Sequence, residues 1–191
     1  WNKSLEEMLV SIQNAKNMTE ALKTYGKSSE GKKTISLKEL LGLAKIMVDA
    51  KHKDFPYEYV FEGDDIDLIV NESNMQEVFF NVIDNGLNAI KIFMNSSQKS
   101  RDYKPRIVVT WKRENGNIVV SVTDNGVGFK SEDLEKAFTP YHTTKGLDRG
   151  TGLGLFAMRE LIRKENGSVE IFSELYKGTT IKVILPNGKD A

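Results

Sequence analysis

The chain has no cysteine, only four prolines and two histidines in 191 residues, and no excess of either charge. Without cysteine, disulfides and thiolate metal sites are excluded. Lys plus Arg and Asp plus Glu number 27 each, so there is no electrostatic case for nucleic acid or for an acidic membrane surface as partner. No apolar run approaches the roughly 18–20 residues of a membrane span, and no signal peptide is visible. What is present suffices for a packed core, with 39% hydrophobic residues and enough length for one domain plus an appendage. The first residue is Trp1 rather than Met, which leads us to expect a piece of a longer protein, one whose membrane attachment this stretch does not decide.

Periodicity divides the chain near residue 32. Leu5, Met8, Leu9, Ile12, Ala15, Leu22 and Tyr25 recur at a spacing close to 3.5 and predict a helix over residues 1–25. Such a stripe needs partner helices or the chain's own domain to cover it. The polar segment Gly26 to Lys33 that follows reads as a linker and favours the bundle. Beyond it, Ser36 is placed to cap a helix through Leu37, Leu40, Leu41, Ala44, Met47 and Val48. Tyr57 to Phe61 and Ile66 to Val70 read as strands joined by a Gly63-Asp64-Asp65 turn. A long helix is expected from Ser73 or Asn74 through Ile90. A hairpin should pair Ile107–Lys112 with Ile118–Thr123 across Asn115-Gly116, and Ser131 should cap a short helix. A further helix from about Gly152 should end at Asn166-Gly167, followed by strands over Ser168–Ser173 and Thr179–Leu185. Grouped strands and helices predict an α+β fold, an α/β sandwich with a mixed, mostly antiparallel sheet and helices on one face.

Three stretches carry chemistry. In the long helix, Glu77, Asn81, Asp84, Asn85 and Asn88 form one polar stripe. A solvated face would more often carry Lys and Glu, and Asn is a poor helix former. Its amide oxygen suits one position around Mg2+ whose other ligands are waters and phosphates. Gly86 inside this helix costs about 1 kcal/mol against Ala, which a ligand approaching the backbone would justify. The second stretch, Asp124-Asn125-Gly126-Val127-Gly128-Phe129, ends a strand. Its carboxylate can accept from an exocyclic amine and so select adenine over guanine, its two glycines permit close approach to a flat ring, and Thr179 could add a second contact. The third, Gly150-Thr151-Gly152-Leu153-Gly154-Leu155, opens a helix whose backbone N–H groups suit phosphate. It lacks the strand–helix–strand unit and ribose acid of a dinucleotide fold. Lys145 adds a point charge for the β- or γ-phosphate, and residues 139–149 read as a lid over the nucleotide. Together the three describe an ATP pocket.

With these residues in view, the chain over about residues 34–187 resembles the ATP-binding catalytic domain of sensor histidine kinases, in a superfamily shared with gyrase, Hsp90 and MutL-type ATPases. Asn81-Val-Ile-Asp-Asn85 is similar to the N box, Phe138-Thr-Pro-Tyr-His-Thr-Thr-Lys145 to the F box, and Gly178-Thr179 to the last glycine box. Asp124, Gly126 and Gly128 match the first glycine box, and Gly150, Gly152 and Gly154 the second. The resemblance implies the superfamily's α/β sandwich, described there as containing a left-handed helix. It implies ATP and Mg2+ as cofactors, with Asn85 as metal ligand and Asn81, Asn85 and Lys145 as the catalytic set. The implied nucleotide contacts are Asn85, Asn88, Asp124, Gly126, Gly128, Phe138, Thr144, Lys145, Gly150, Thr151, Gly152, Leu153, Gly154 and Thr179. It further implies a response regulator receiver domain and the protein's own dimerisation and phosphoacceptor domain as partners. The parent would be a homodimer, this domain would be cytoplasmic, and residues 1–31 would belong to the dimerisation hairpin.

Hydrolysing members of the superfamily carry Glu four residues before the metal-binding Asn. Here Asn81 stands there, and an amide is no base at neutral pH, so transfer to a histidine is expected rather than hydrolysis, with catalysis by positioning and charge neutralisation. The chain departs from the family at Gly86, usually Ala, and at Asn88, where many members carry Lys or Arg. Neither His52 nor His142 has the acceptor's context of an acid and a following proline, so both read as surface histidines and the acceptor is expected outside this chain. Two other readings stay open from sequence: a nucleotide-gated interaction module, and an ATPase of the superfamily.

Overall fold

The computed structural model describes residues 31–142 and 152–187; the helix expected over 1–25 lies outside them. In chain order the elements are β1 (Lys33–Ser36), α1 (Leu37–Lys51), β2 (Glu58–Gly63), β3 (Asp67–Val70), α2 (Glu72–Met94), β4 (Arg106–Glu114), β5 (Asn117–Asp124), α3 (Ser131–Leu134), α4 (Gly154–Lys164), β6 (Ser168–Glu174) and β7 (Gly178–Pro186). Five strands form one sheet in the order β2-β4-β5-β7-β6, while β1 and β3 form a separate two-stranded sheet. Among the described residues only β2 and β4 run parallel, and every other pairing is antiparallel. The mixed, mostly antiparallel sheet expected from sequence is therefore present.

The layers follow from two periodicities. Helix α1 buries Leu37, Leu40, Leu41, Ala44 and Val48, and α2 buries Met75, Val78, Phe79, Val82, Ile83, Leu87 and Ile90, one apolar stripe each at helical spacing. The sheet answers with alternate residues, Ile107, Val109 and Trp111 on β4 and Ile181, Val183 and Leu185 on β7, as the two-residue period of a strand requires. Each such side chain, fully buried, contributes about 1.5–3 kcal/mol. The opposite sheet face carries exposed Thr110, Lys112 and Phe172, so the described helices cover one face only.

The hairpin between β4 and β5 turns on Asn115 and Gly116, both at positive φ (50° and 75°), which suits the right-handed twist of the flanking strands. Among the described residues, positive φ occurs otherwise only at isolated positions, so no left-handed helix is present there. Several expectations shift. The strands β2 and β3 exist but do not pair with each other, since β2 lies on β4 and β3 on β1. Strand β1 was not expected at all. Ser36 occupies the cap position of α1 without a side-chain hydrogen bond, and the cap of α2 is Asn71, whose side chain accepts from the Asn74 N–H at 2.9 Å. Ser131 is the first residue of α3 rather than its cap. Helix α4 ends as expected, with Asn166 at φ 59° and the Gly167 N–H on the Ile162 carbonyl at 3.0 Å.

Candidate functional site

A cavity of about 330 Å³ opens between α2, the end of β5, β7 and the start of α4, a volume in the range of small-ligand pockets. One wall is the polar stripe of α2, with Asn81, Asp84, Asn85 and Asn88. The floor is Asp124, Gly128 and Thr179, and the far wall is Gly152, Gly154 and Leu155 at the N-terminus of α4. Between them Val82, Ala89, Val122, Val127, Phe129 and Ile181 supply apolar surface, the lining a flat aromatic ring needs.

Asp124 is the last residue of β5, paired across the sheet with Thr179, and is buried. Its Oδ1 accepts from the Gly126 N–H at 2.8 Å, so the turn that follows holds the carboxylate in place. That turn is fastened on both sides: the Val127 N–H donates to the Ala89 carbonyl of α2 at 3.2 Å, and the Val127 carbonyl accepts from the Tyr176 N–H at 2.7 Å. Thr179 has a defined polarity. The Ser173 hydroxyl donates to the Gly178 carbonyl at 2.8 Å and lies 2.9 Å from Thr179 Oγ1. With the serine proton committed, Thr179 must donate to Ser173, and its oxygen is left as an acceptor. The floor thus presents a carboxylate and a hydroxyl acceptor side by side, suited to an amine and opposed to a carbonyl. Nearby, Tyr103 donates to the Asn125 carbonyl at 2.9 Å; burial first, and the Asp124 charge second, push its phenol up to about 12.

Gly86 has a packing reason beyond the ligand approach expected of it. A Cβ there would lie 2.8 Å from Ile107 Cδ1 and 3.2 Å from Asp124 Cβ, so the bare backbone lets α2 close on the sheet beside the floor. Gly128, at φ 65°, is required more strictly, because a Cβ would run into the Glu174 carbonyl oxygen. The close approach made by these glycines is to protein atoms.

The polar stripe of α2 is partly buried, and most deeply so at Asp84. Asp84 is 8% exposed and His52 5%, and the two meet at 2.7 Å between Nε2 and Oδ1. The expectation that His52 is a surface histidine is overturned: it is held 32 positions along the chain by a buried acid. Lys91 Nζ lies 2.7 Å from His52 Nδ1, and an ammonium only donates, so Nδ1 accepts and the ring proton sits on Nε2, facing Asp84. Lys51 Nζ lies 2.9 Å from both carboxylate oxygens of Asp84, and Asn88 Nδ2 donates to Oδ2 at 3.0 Å. Farther along the stripe, burial raises the Glu77 carboxyl, with Lys164 partly offsetting it. His142, the other histidine, lines the cavity with its Nε2 3.4 Å from Asp133 Oδ1.

Of the residues singled out from sequence, Asn81, Asn85, Asn88, Asp124, Gly128, Gly152, Gly154 and Thr179 line this one cavity. A Cβ on Gly154 would stand 3.6 Å from Asn85 Nδ2, so the start of α4 faces the α2 amides. Three others stand back from it. Gly126 packs on Ala89 of α2. Phe138 packs against the core with the Arg159 guanidinium 5.6 Å from its ring centre. Leu153 occupies the N-cap position of α4, where no side chain caps the helix. Thr144, Lys145, Gly150 and Thr151 lie outside the described residues. The borders of that stretch meet at the cavity, where the Tyr141 N–H donates to the Gly152 carbonyl at 3.0 Å. Sequence reasoning missed Lys51 and the apolar lining, which have no local signature.

Residues 70–189 match the family described as histidine kinase-, DNA gyrase B-, and HSP90-like ATPase. The chain belongs to that family. Similar proteins include sensor kinases and sporulation kinases. Sporulation kinase C of Bacillus subtilis is 28% identical over 165 residues, covering 83% of this chain and 35% of the relative. Sporulation kinase B of the same organism is 34% identical over 97 residues, covering 51% and 22%. The chain thus spans about a third or less of the length of these relatives. A solved catalytic domain of the histidine kinase ThkA superposes with TM-score 0.65 at 20% identity, over 83% of this chain and 97% of that one, which establishes the shared fold. This is an ATP-binding catalytic domain of the sensor histidine kinase type. Among the described residues no helix is long and apolar enough to cross a membrane.

Proposed function

We propose that the cavity binds ATP with magnesium and passes the γ-phosphoryl group to a histidine outside this chain. The observation that carries the reading is that Asp124, Asn85, Gly152 and Gly154 line a single cavity. Asp124 and Thr179 accept from the adenine amine. The Asn85 amide and the N-terminus of α4 face the triphosphate. The donor set fits magnesium that arrives with the nucleotide: an amide oxygen stands in the wall, and among the described residues no cluster of three His, Cys, Asp or Glu could hold an ion alone. Bound there, magnesium neutralises phosphate charge. Thr144, Lys145, Gly150 and Thr151 are proposed to complete the phosphate contacts.

In the transfer, the bond between the γ-phosphorus and the β–γ bridging oxygen breaks, a bond from an imidazole nitrogen to that phosphorus forms, and ADP leaves. Asn81 lines the cavity where a base would activate water, and an amide cannot do so at neutral pH. In this proposal residues 1–31 belong to a dimerisation hairpin, and the parent is a cytoplasmic-facing homodimer that phosphorylates itself and then a response regulator receiver domain.

The test uses the chain with magnesium and radiolabelled ATP, alone and with a helical segment bearing an acceptor histidine. Acid-labile, base-stable label on the added segment, and none on this chain, is the expected result. Steady hydrolysis by the chain alone, abolished by Asn81→Ala, would replace the reading with an ATPase.

A further inference from the structure

We infer that Lys51, on α1, is a phosphate-binding cation of this site, set in place by the buried Asp84–His52–Lys91 chain; the inference rests on the nucleotide reading above. Among the described residues that line the cavity, Lys51 is the one lysine or arginine, while Asp84 and Asp124 bring two carboxylates. A triphosphate entering a wall with that balance needs a cation, and this one is already there.

Its position follows from helix geometry. At about 100° per residue, Asp84 and Gly86 lie on opposite flanks of α2, about 200° apart, with Asn85 between them. Gly86 faces Asp124, with only 3.2 Å from a Cβ to the Asp124 Cβ, so that flank is the base end. Lys51 is held on the other flank, 2.9 Å from Asp84, beyond the proposed metal-binding amide and on the phosphate side of it. Asn88, on the same flank, donates to the oxygen of Asp84 that Lys51 also reaches, which aligns amide and ammonium on one carboxylate.

The anchor is rigid and the head is not buried. Asp84 is fixed from behind by His52, and His52 by Lys91. The Lys51 side chain itself is 52% exposed, and an ammonium has three donors. It can keep Asp84 and still turn one N–H to a phosphate oxygen. Phe80 lies beneath it, with its ring centre 5.4 Å from Nζ, and limits its swing. Without Lys51, the Asp84 charge would face the phosphates directly, so the residue both adds an attraction and screens a repulsion.

Titration calorimetry with Mg-ATP and with AMP on the wild type, Lys51→Met and Lys51→Arg tests this. Lys51→Met should weaken ATP binding roughly tenfold, as loss of a charge-assisted contact does, and leave AMP within about twofold. Lys51→Arg should stay near wild type for both, and added salt should narrow the ATP-to-AMP difference more in the wild type than in Lys51→Met. Equal weakening of ATP and AMP would show a merely structural role and overturn the inference, as would unchanged ATP affinity in Lys51→Met. If the wild type binds ATP, either failure touches Lys51 alone; if the wild type binds no adenine nucleotide, the nucleotide reading falls and Lys51 with it.

Discussion

Replacing Asp124 with asparagine removes the charge at the cavity floor and keeps the size of the side chain. The asparagine carbonyl oxygen can still accept from the Gly126 N–H, the 2.8 Å bond that fixes the side chain, so the turn should hold. The second arm becomes an NH2 that points at the base. For adenine this loses a hydrogen bond to a charged acceptor, worth about 1.5–3 kcal/mol, and sets two donors against each other. ATP affinity should fall roughly 10- to 150-fold. For guanine the exchange works the other way: its carbonyl, opposed by the carboxylate and by the Thr179 acceptor in the wild type, meets a donor in the variant. Calorimetry with Mg-ATP and Mg-GTP, with the urea midpoint as a check on folding, measures both. A folded Asp124→Asn variant that binds ATP as the wild type does, or one whose ATP-to-GTP ratio is unchanged, would refute the assignment of base selection to this carboxylate.

Other outcomes follow from the same contacts. His52→Ala leaves Asp84 and Lys91 without their shared partner in a buried site and should cost about 2–4 kcal/mol in urea unfolding; a loss below about 0.5 kcal/mol would mean the buried chain carries no stability. Gly86→Ala should lose no more than about 1 kcal/mol, because the helix-propensity gain offsets most of the small shifts required of the flexible end of Ile107 and of the Asp124 Cβ. Gly128→Ala combines a left-handed backbone with a clash on the Glu174 carbonyl, and should lose about 2 kcal/mol or more. Equal thermal shifts for these two glycine variants would contradict the packing account. Tyr103, raised to about 12 by burial, favours its neutral form when folded. Its contribution is complete below the unfolded value near 10 and is lost as pH rises through the folded one, so a thermal scan from pH 9 to 12 should fall more steeply for the wild type than for Tyr103→Phe.

Much of this fold could be read from local pattern. Helices α1, α2 and α4 carry unbroken apolar stripes, and the hairpin β4–β5 announces itself by Asn115-Gly116 between alternating strands. Strand β1 could not be read, because Lys33-Thr34-Ile35-Ser36 has one buried residue and exists through pairing with β3, more than 30 positions on. The same long-range choice separates β2 from β3, whose Gly63-Asp64-Asp65 link looks like a hairpin turn. At the site, residues defined by short motifs were legible: Asp124 in its glycine turn, Asn81 and Asn85 on one helical stripe, Gly152 and Gly154 before α4. His52 and Lys51 were not, since Ala50-Lys51-His52-Lys53-Asp54 reads as an ordinary polar helix end until α2 lays Asp84 against it. The glycines were legible as landmarks but not for their reason, which is close packing on other protein atoms: side chains at Gly86, backbone at Gly126 and Gly128.

The most direct test of one shared cavity is a nuclear magnetic resonance titration of the isotopically labelled chain with Mg-ATP. The account predicts that the Asn85 side-chain amide and the backbone amides of Asp124, Gly152 and Gly154 shift together along a single binding curve. Shifts that saturate at separate nucleotide concentrations, or that leave either Asp124 or the α4 N-terminus untouched, would contradict it.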